Sequence, residues 1–133
     1  MQTKPFIALE DATRVLAAAR AEAEANKWAV SIAVVDDGGH LLGMVRLDGC
    51  APIGAEISIG KARTSALGRR ESKGYEDMVN GGRTAFVTAP ILTTLEGGVP
   101  LIVDGHVVGA VGVSGVKPAE DSQIAKAGAA ALA

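Results

Sequence analysis

The run from Gly97 to Gly115, GGVPLIVDGHVVGAVGVSG, constrains the fold more than any other segment of this chain. Two short apolar stretches flank Asp104-Gly105, and an Asp-Gly pair between apolar runs signals a two-residue β-hairpin, because both central positions of a type I′ turn need φ > 0. Gly109 and Gly112 then fall inside the second strand. Strand interiors avoid glycine unless the strand bulges or a ligand or another backbone comes close. Gly109 and Gly112 therefore mark the first candidate ligand-binding position.

The rest of the chain supplies helices and a second hairpin. From Leu9 to about Asn26, Leu9, Ala12, Leu16, Ala19 and Ala23 recur at helical spacing, with Glu10 and Asp11 in the first turn and Glu10 placed to pair with Arg14. Ala29 to Val35 reads as a strand covered on both faces. After the turn cluster Asp36-Asp37-Gly38-Gly39, His40 to Leu47 returns as a second strand, with His40, Leu42, Met44 and Arg46 on one side. Pro52 sits where a helix can begin, and Ile53 to about Arg69 carries two stripes, Ile53, Ile57, Gly60, Thr64, Leu67 and Ala55, Ile59, Ala62, Ala66. Such a helix is buried in the domain or at a subunit contact. Residues 71–96 are less regular, with Asn80-Gly81-Gly82 as a breaker and short helix and strand after Thr84. Pro118 opens a last helix, with Glu120 and Asp121 in its first turn. Paired hairpins with helices between them predict an α+β domain, one over residues 1–133, built on a mostly antiparallel sheet.

Composition excludes several function classes. With 13 basic and 15 acidic residues and no block of like charge, the chain has no footprint for nucleic acid or anionic lipid. Aromatic residues are only 3% of the chain, so no platform for stacking bases is present. No run approaches the roughly twenty apolar residues of a membrane span, and the N-terminus lacks a charged stretch followed by an apolar core. Cys50 is the one cysteine. A soluble protein of a reducing, cytoplasmic compartment is expected.

Three segments together resemble one family. They are Val34-Val35-Asp36-Asp37-Gly38-Gly39-His40-Leu41, Arg46-Leu47-Asp48-Gly49 and the Gly97 to Gly115 run, with Lys61-Ala62 on the central helix and Asp121 near the start of the last. The combination is similar to the GlcG/HbpS family, which also includes the C-terminal domain of PduO-type corrinoid adenosyltransferases. The resemblance implies a profilin-like fold, an antiparallel sheet flanked by α-helices. Because the family contains haem-binding members, it also implies haem or another tetrapyrrole as ligand and cofactor.

The residues leave three functions open. In the first, a small homo-oligomeric protein binds a tetrapyrrole against the glycine-rich hairpin, with Arg46 or Lys61 holding its anionic groups and His40 available to the iron. In the second, a cofactor-independent enzyme of small-molecule catabolism acts on a carboxylate; Lys61 or Arg46 positions the anion while His40 or Asp36 moves protons. The third is an accessory or assembly module without a ligand. Each candidate also has a structural reading. His40 can serve as a turn histidine, Arg46 can pair at the surface with Asp48, and Lys61 can pair with Asp36, Asp48 or Asp121. Cys50, His40 and His106 have no metal-ligand spacing, so the protein alone is expected to hold no metal. Ser114 lacks the strand-turn-helix setting of a nucleophile.

Overall fold

Strand β1 (Ser31–Asp36) organises the molecule, because both of its faces are buried. Val30, Ile32 and Val34 enter one aliphatic layer, and Ala33 and Val35 enter the other. In the computed structural model, which describes residues 1–90 and 92–133, β1 lies between β2 (Leu41–Arg46) and β4 (His106–Ser114), with β3 (Gly98–Val103) beyond β4. The order is β2-β1-β4-β3 and every pairing is antiparallel. Helices α1 (Leu9–Ala25) and α4 (Pro118–Ala130) cover one face, and α2 (Pro52–Gly68) covers the other. Helix α3 (Lys73–Asn80) and a 3₁₀ turn at Thr84–Thr88 connect α2 to β3. This is an α+β fold with a profilin-like, helix-flanked antiparallel sheet.

The hairpin expected at Asp104-Gly105 is present. Asp104 has φ 50° and Gly105 φ 76°, the two positive values of a type I′ turn. Helix α1 keeps the expected span but turns slightly. Val15 is buried with Ala12, Ala19 and Ala23, whereas Leu9 is exposed. Its first turn closes through Asp11 rather than Glu10: Asp11 Oδ2 accepts the Ala8 N–H at 2.9 Å, and Oδ1 pairs with Arg14 at 3.1 Å.

Two expectations are corrected. The single-sided row His40, Leu42, Met44, Arg46 is interrupted by a β-bulge, where Val34 faces Gly43 and Val35 faces Leu41. The extra residue, Leu42, packs with the α1 layer while Met44 packs with the α2 layer. Helix α2 buries Ala62 and Ala66 of one stripe, with Ile59 packed against them, but of the other stripe covers only Thr64. Its covered residues are Gly54, Ser58, Lys61, Ala62, Thr64, Ser65 and Ala66, while Ile53 and Leu67 face outward, 66% and 43% exposed.

Close approach explains which face of α2 is covered. A methyl group at Gly112 would overlap the Ser58 carbonyl oxygen and the Ala62 amide nitrogen, and one at Gly98 would overlap the Lys61 carbonyl oxygen. The backbone of α2 thus rests directly on the sheet. Where the two backbones touch, at Gly98 and Gly112, only glycine fits.

Candidate functional site

Asp36 ends β1 and folds the β1–β2 turn around its own carboxylate. Oδ1 accepts the backbone N–H groups of Gly38 at 3.0 Å and His40 at 2.9 Å, and the His40 ring nitrogen Nδ1 lies 3.2 Å away. A carboxylate can only accept, so the ring donates from Nδ1, and in the neutral imidazole Nε2 is the nitrogen left with a lone pair. The imidazole is 80% exposed, whereas the Asp36 side chain is 16% exposed. A partly covered carboxylate that orients an open imidazole is the arrangement found behind metal-ligating histidines, where it fixes the tautomer and raises basicity. His40 and Asp36 are thus brought together at one end of the sheet.

Lys61 goes elsewhere. Its ammonium donates to Asp121 Oδ2 at 3.0 Å and to the Val113 carbonyl at 2.8 Å, with both charged side chains about 4% exposed. Asp121 Oδ1 accepts the Val116 N–H at 3.2 Å. Burial pushes the Asp121 carboxyl above its ordinary range, against the opposing pull of Lys61 and of the Val116 and Gly115 N–H groups. The expectation that Lys61 holds a ligand's anion is corrected by this pairing. Of the three carboxylates within its reach by sequence, Asp121 is the one it takes, and the sealed ammonium has no face toward solvent.

Arg46 is exposed, and among the described residues it makes no ion pair. It faces Ser31 in the β1–β2 register, at the other end of β2 from His40. Six residue-to-residue steps separate the two, roughly 20 Å. The hairpin glycines serve close backbone contact: a methyl at Gly109 would overlap the Val35 carbonyl oxygen, as one at Gly112 would overlap α2. A ligand-binding role at those two positions is corrected on the same ground, since protein backbone already fills the space. Cys50 is buried, its Sγ 3.3 Å from Ser31 Oγ and 3.8 Å from the Ser114 carbonyl.

Among the described residues, clefts open at several places on the surface. One of about 180 Å³ lies beside Phe6, Val108 and Leu132, one of about 330 Å³ beside Trp28 and Leu47, and one of about 290 Å³ beside Arg70 and Gly74. None is lined by His40, Arg46, Lys61, Gly109 or Gly112. Among the described residues no group of three metal-ligating side chains gathers, and no helix is long and apolar enough to cross a membrane.

One residue at the β1–β2 turn has no sequence signal. Arg63, on α2, reaches the glycine turn, where a methyl at Gly39 would lie 3.7 Å from its Nε and 3.4 Å from Leu67 Cγ. That Nε is buried without an acceptor. Its place in the run Lys61-Ala62-Arg63 does not mark it, because only the fold brings α2 to the β1–β2 turn.

Comparison with known proteins covers nearly the whole chain. Residues 7–130 match the family model described as haem degrading protein HbpS-like. The chain is 65% identical over 114 residues to the protein GlcG of Escherichia coli K12, an alignment covering 86% of this chain and 85% of the relative. A crystal structure of a Streptomyces reticuli HbpS double mutant superposes with a TM-score of 0.89 at 31% identity, covering all of this chain and 91% of the other. A PduOC–haem complex superposes with a TM-score of 0.86, covering 96% of both chains; at 24% identity it speaks to the fold.

Proposed function

The chain belongs to the HbpS-like family, and from that premise we propose that it is a small haem-binding protein whose iron-facing residue is His40. The observation that carries this reading is the Asp36–His40 pair, an exposed imidazole held through Nδ1 with Nε2 open. When bound, haem iron would supply a metal centre for ligation and redox chemistry. The donor chemistry of the turn suits it, since neutral imidazole is a good ligand for haem iron.

The clefts near Phe6, Trp28 and Arg70 are at or below the low end of pockets that enclose ligands, and none contains His40. A macrocycle would therefore lie against the surface beside the turn, where the half-exposed Leu67 supplies aliphatic contact. Asp36 would orient the ring and hold the Nδ1 proton. Haem binding by the PduOC protein of the same fold supports the ligand class. Absorbance titration with hemin, comparing wild type with His40→Ala, tests the reading.

Self-association is a second element of the proposal. Ile53 and Leu67 on α2, Val87 on the 3₁₀ turn and Leu95 before β3 are 66%, 43%, 61% and 42% exposed. A second copy covering these side chains would also shield a ligand lying on Leu67 from water.

A further inference from the structure

The β1–β2 turn carries more positive than negative charge, although the chain as a whole has a formal charge of -2. Two carboxylates and three cations meet there, and four of these five groups are engaged. Asp36 is occupied by the Gly38 and His40 N–H groups and the imidazole. Asp37 pairs with Lys4, and Arg69 donates to the Asp37 carbonyl at 2.6 Å. Arg63 is left over: among the described residues its guanidinium has no ion pair, and its buried Nε has no acceptor. An unmet buried N–H is costly, by an amount comparable to a lost hydrogen bond.

The position of Arg63 is as informative as its lack of a partner. Its Nε and the His40 ring flank the same Gly38-Gly39 turn, the ring Cε1 lying 3.0 Å from where a methyl on Gly38 would stand. Leu67, one helical turn beyond Arg63, lies against Gly39 as well. The turn therefore has an imidazole at Gly38 and an aliphatic side chain and a guanidinium at Gly39. These are the complements of a ligand with a metal, an apolar body and a carboxylate.

We infer that Arg63 is the anion-binding residue of the His40 face, holding a carboxylate of the bound tetrapyrrole. This rests on haem binding at His40 and replaces Lys61 and Arg46 in the role of anion holder. The terminal guanidinium nitrogens meet the carboxylate first. A small rotation of the side chain then turns Nε outward and completes a side-on, bidentate contact, the geometry that favours arginine over lysine.

The test compares hemin with its dimethyl ester, which keeps the iron and the ring but has no free carboxylate. Wild type, Arg63→Gln, Arg63→Lys and His40→Ala are each titrated by absorbance, and their folding is checked by circular dichroism. Arg63→Gln is expected to weaken hemin roughly ten- to a hundredfold, the scale of a charge-assisted hydrogen bond, and to leave ester affinity within about twofold. Arg63→Lys should recover part of the hemin affinity. If Arg63→Gln binds hemin as wild type does while His40→Ala loses it, the Arg63 assignment is wrong and the haem reading stands. Equal losses for hemin and ester would likewise overturn the assignment, by making Arg63 a structural residue. Absence of saturable hemin binding by wild type overturns both.

Discussion

The Lys61 ammonium stands 3.0 Å from Asp121 Oδ2 with both side chains almost fully buried, so one ion pair joins α2 to α4 across the end of β4. Removing one member leaves the other charged and unpaired in the interior. Lys61→Met is expected to destabilise the fold by about 3–5 kcal/mol, and the double variant Lys61→Met, Asp121→Leu to recover much of that loss. Urea denaturation followed by circular dichroism measures both.

The same pair gives stability a pH dependence of definite sign. Burial raises the folded-state value of Asp121 above its ordinary 3.8, so between the two values the folded chain retains a proton that the unfolded chain has released. The contribution is fully present below the ordinary value and is lost as the pH rises through the raised one. Whatever the Tm difference between wild type and Asp121→Asn at low pH, it should shift in favour of the variant across that window. A difference that shifts toward wild type would contradict a raised Asp121.

Gly112 and Gly105 should respond to alanine for different reasons. Alanine at Gly112 drives a methyl into the backbone of α2, and a loss of at least about 1–3 kcal/mol is expected as the helix lifts from the sheet. At Gly105 nothing lies within 4 Å, and the cost is the positive φ of 76° alone, about 1–2 kcal/mol. Fluorescence of Trp28 and backbone circular dichroism can follow both unfolding transitions, and crystallography of Gly112→Ala should reveal the displaced helix.

Asp36 has two separable duties. Asp36→Asn retains an oxygen for the Gly38 and His40 N–H groups but lacks the charge facing the imidazole. Its stability should stay within about 1 kcal/mol of wild type, while hemin affinity falls about 10- to 100-fold. Unchanged affinity would show that the carboxylate serves the turn alone.

If exposed aliphatic side chains seat a second copy, charging them will separate the copies without unfolding either. Light scattering after size exclusion should find a multimer for wild type and a monomer for Ile53→Glu, Val87→Asp, with stability of the isolated chain changed by about 0.5 kcal/mol or less. A monomeric wild type would remove self-association from the account.

Local chemistry makes much of the fold legible in the sequence. Asp104-Gly105 between two apolar runs favours a type I′ turn, and the alternation of Val30 to Val35 leads to two buried faces. Helix α2 departs from its pattern at one stripe because apolar spacing suggests burial of Ile53 and Leu67, whereas the face it buries is set by Gly98 and Gly112, far along the chain. The site divides in the same way. Asp36 and His40 are neighbours in sequence and meet, but pairing Lys61 with Asp121 and bringing Arg63 to the glycine turn both depend on packing between distant segments. The bulge at Leu42 has a local signal in the adjacent Gly43, a glycine inside a strand.

The central claim is that His40 presents an open Nε2 to haem iron. Absorbance titration of purified protein with hemin, repeated with His40→Ala, tests it most directly. The account predicts a saturable one-to-one change in the haem bands for wild type, and for the variant a weaker association with different band positions. Identical spectra and affinities in the two proteins, or only non-saturating partition in wild type, would contradict it.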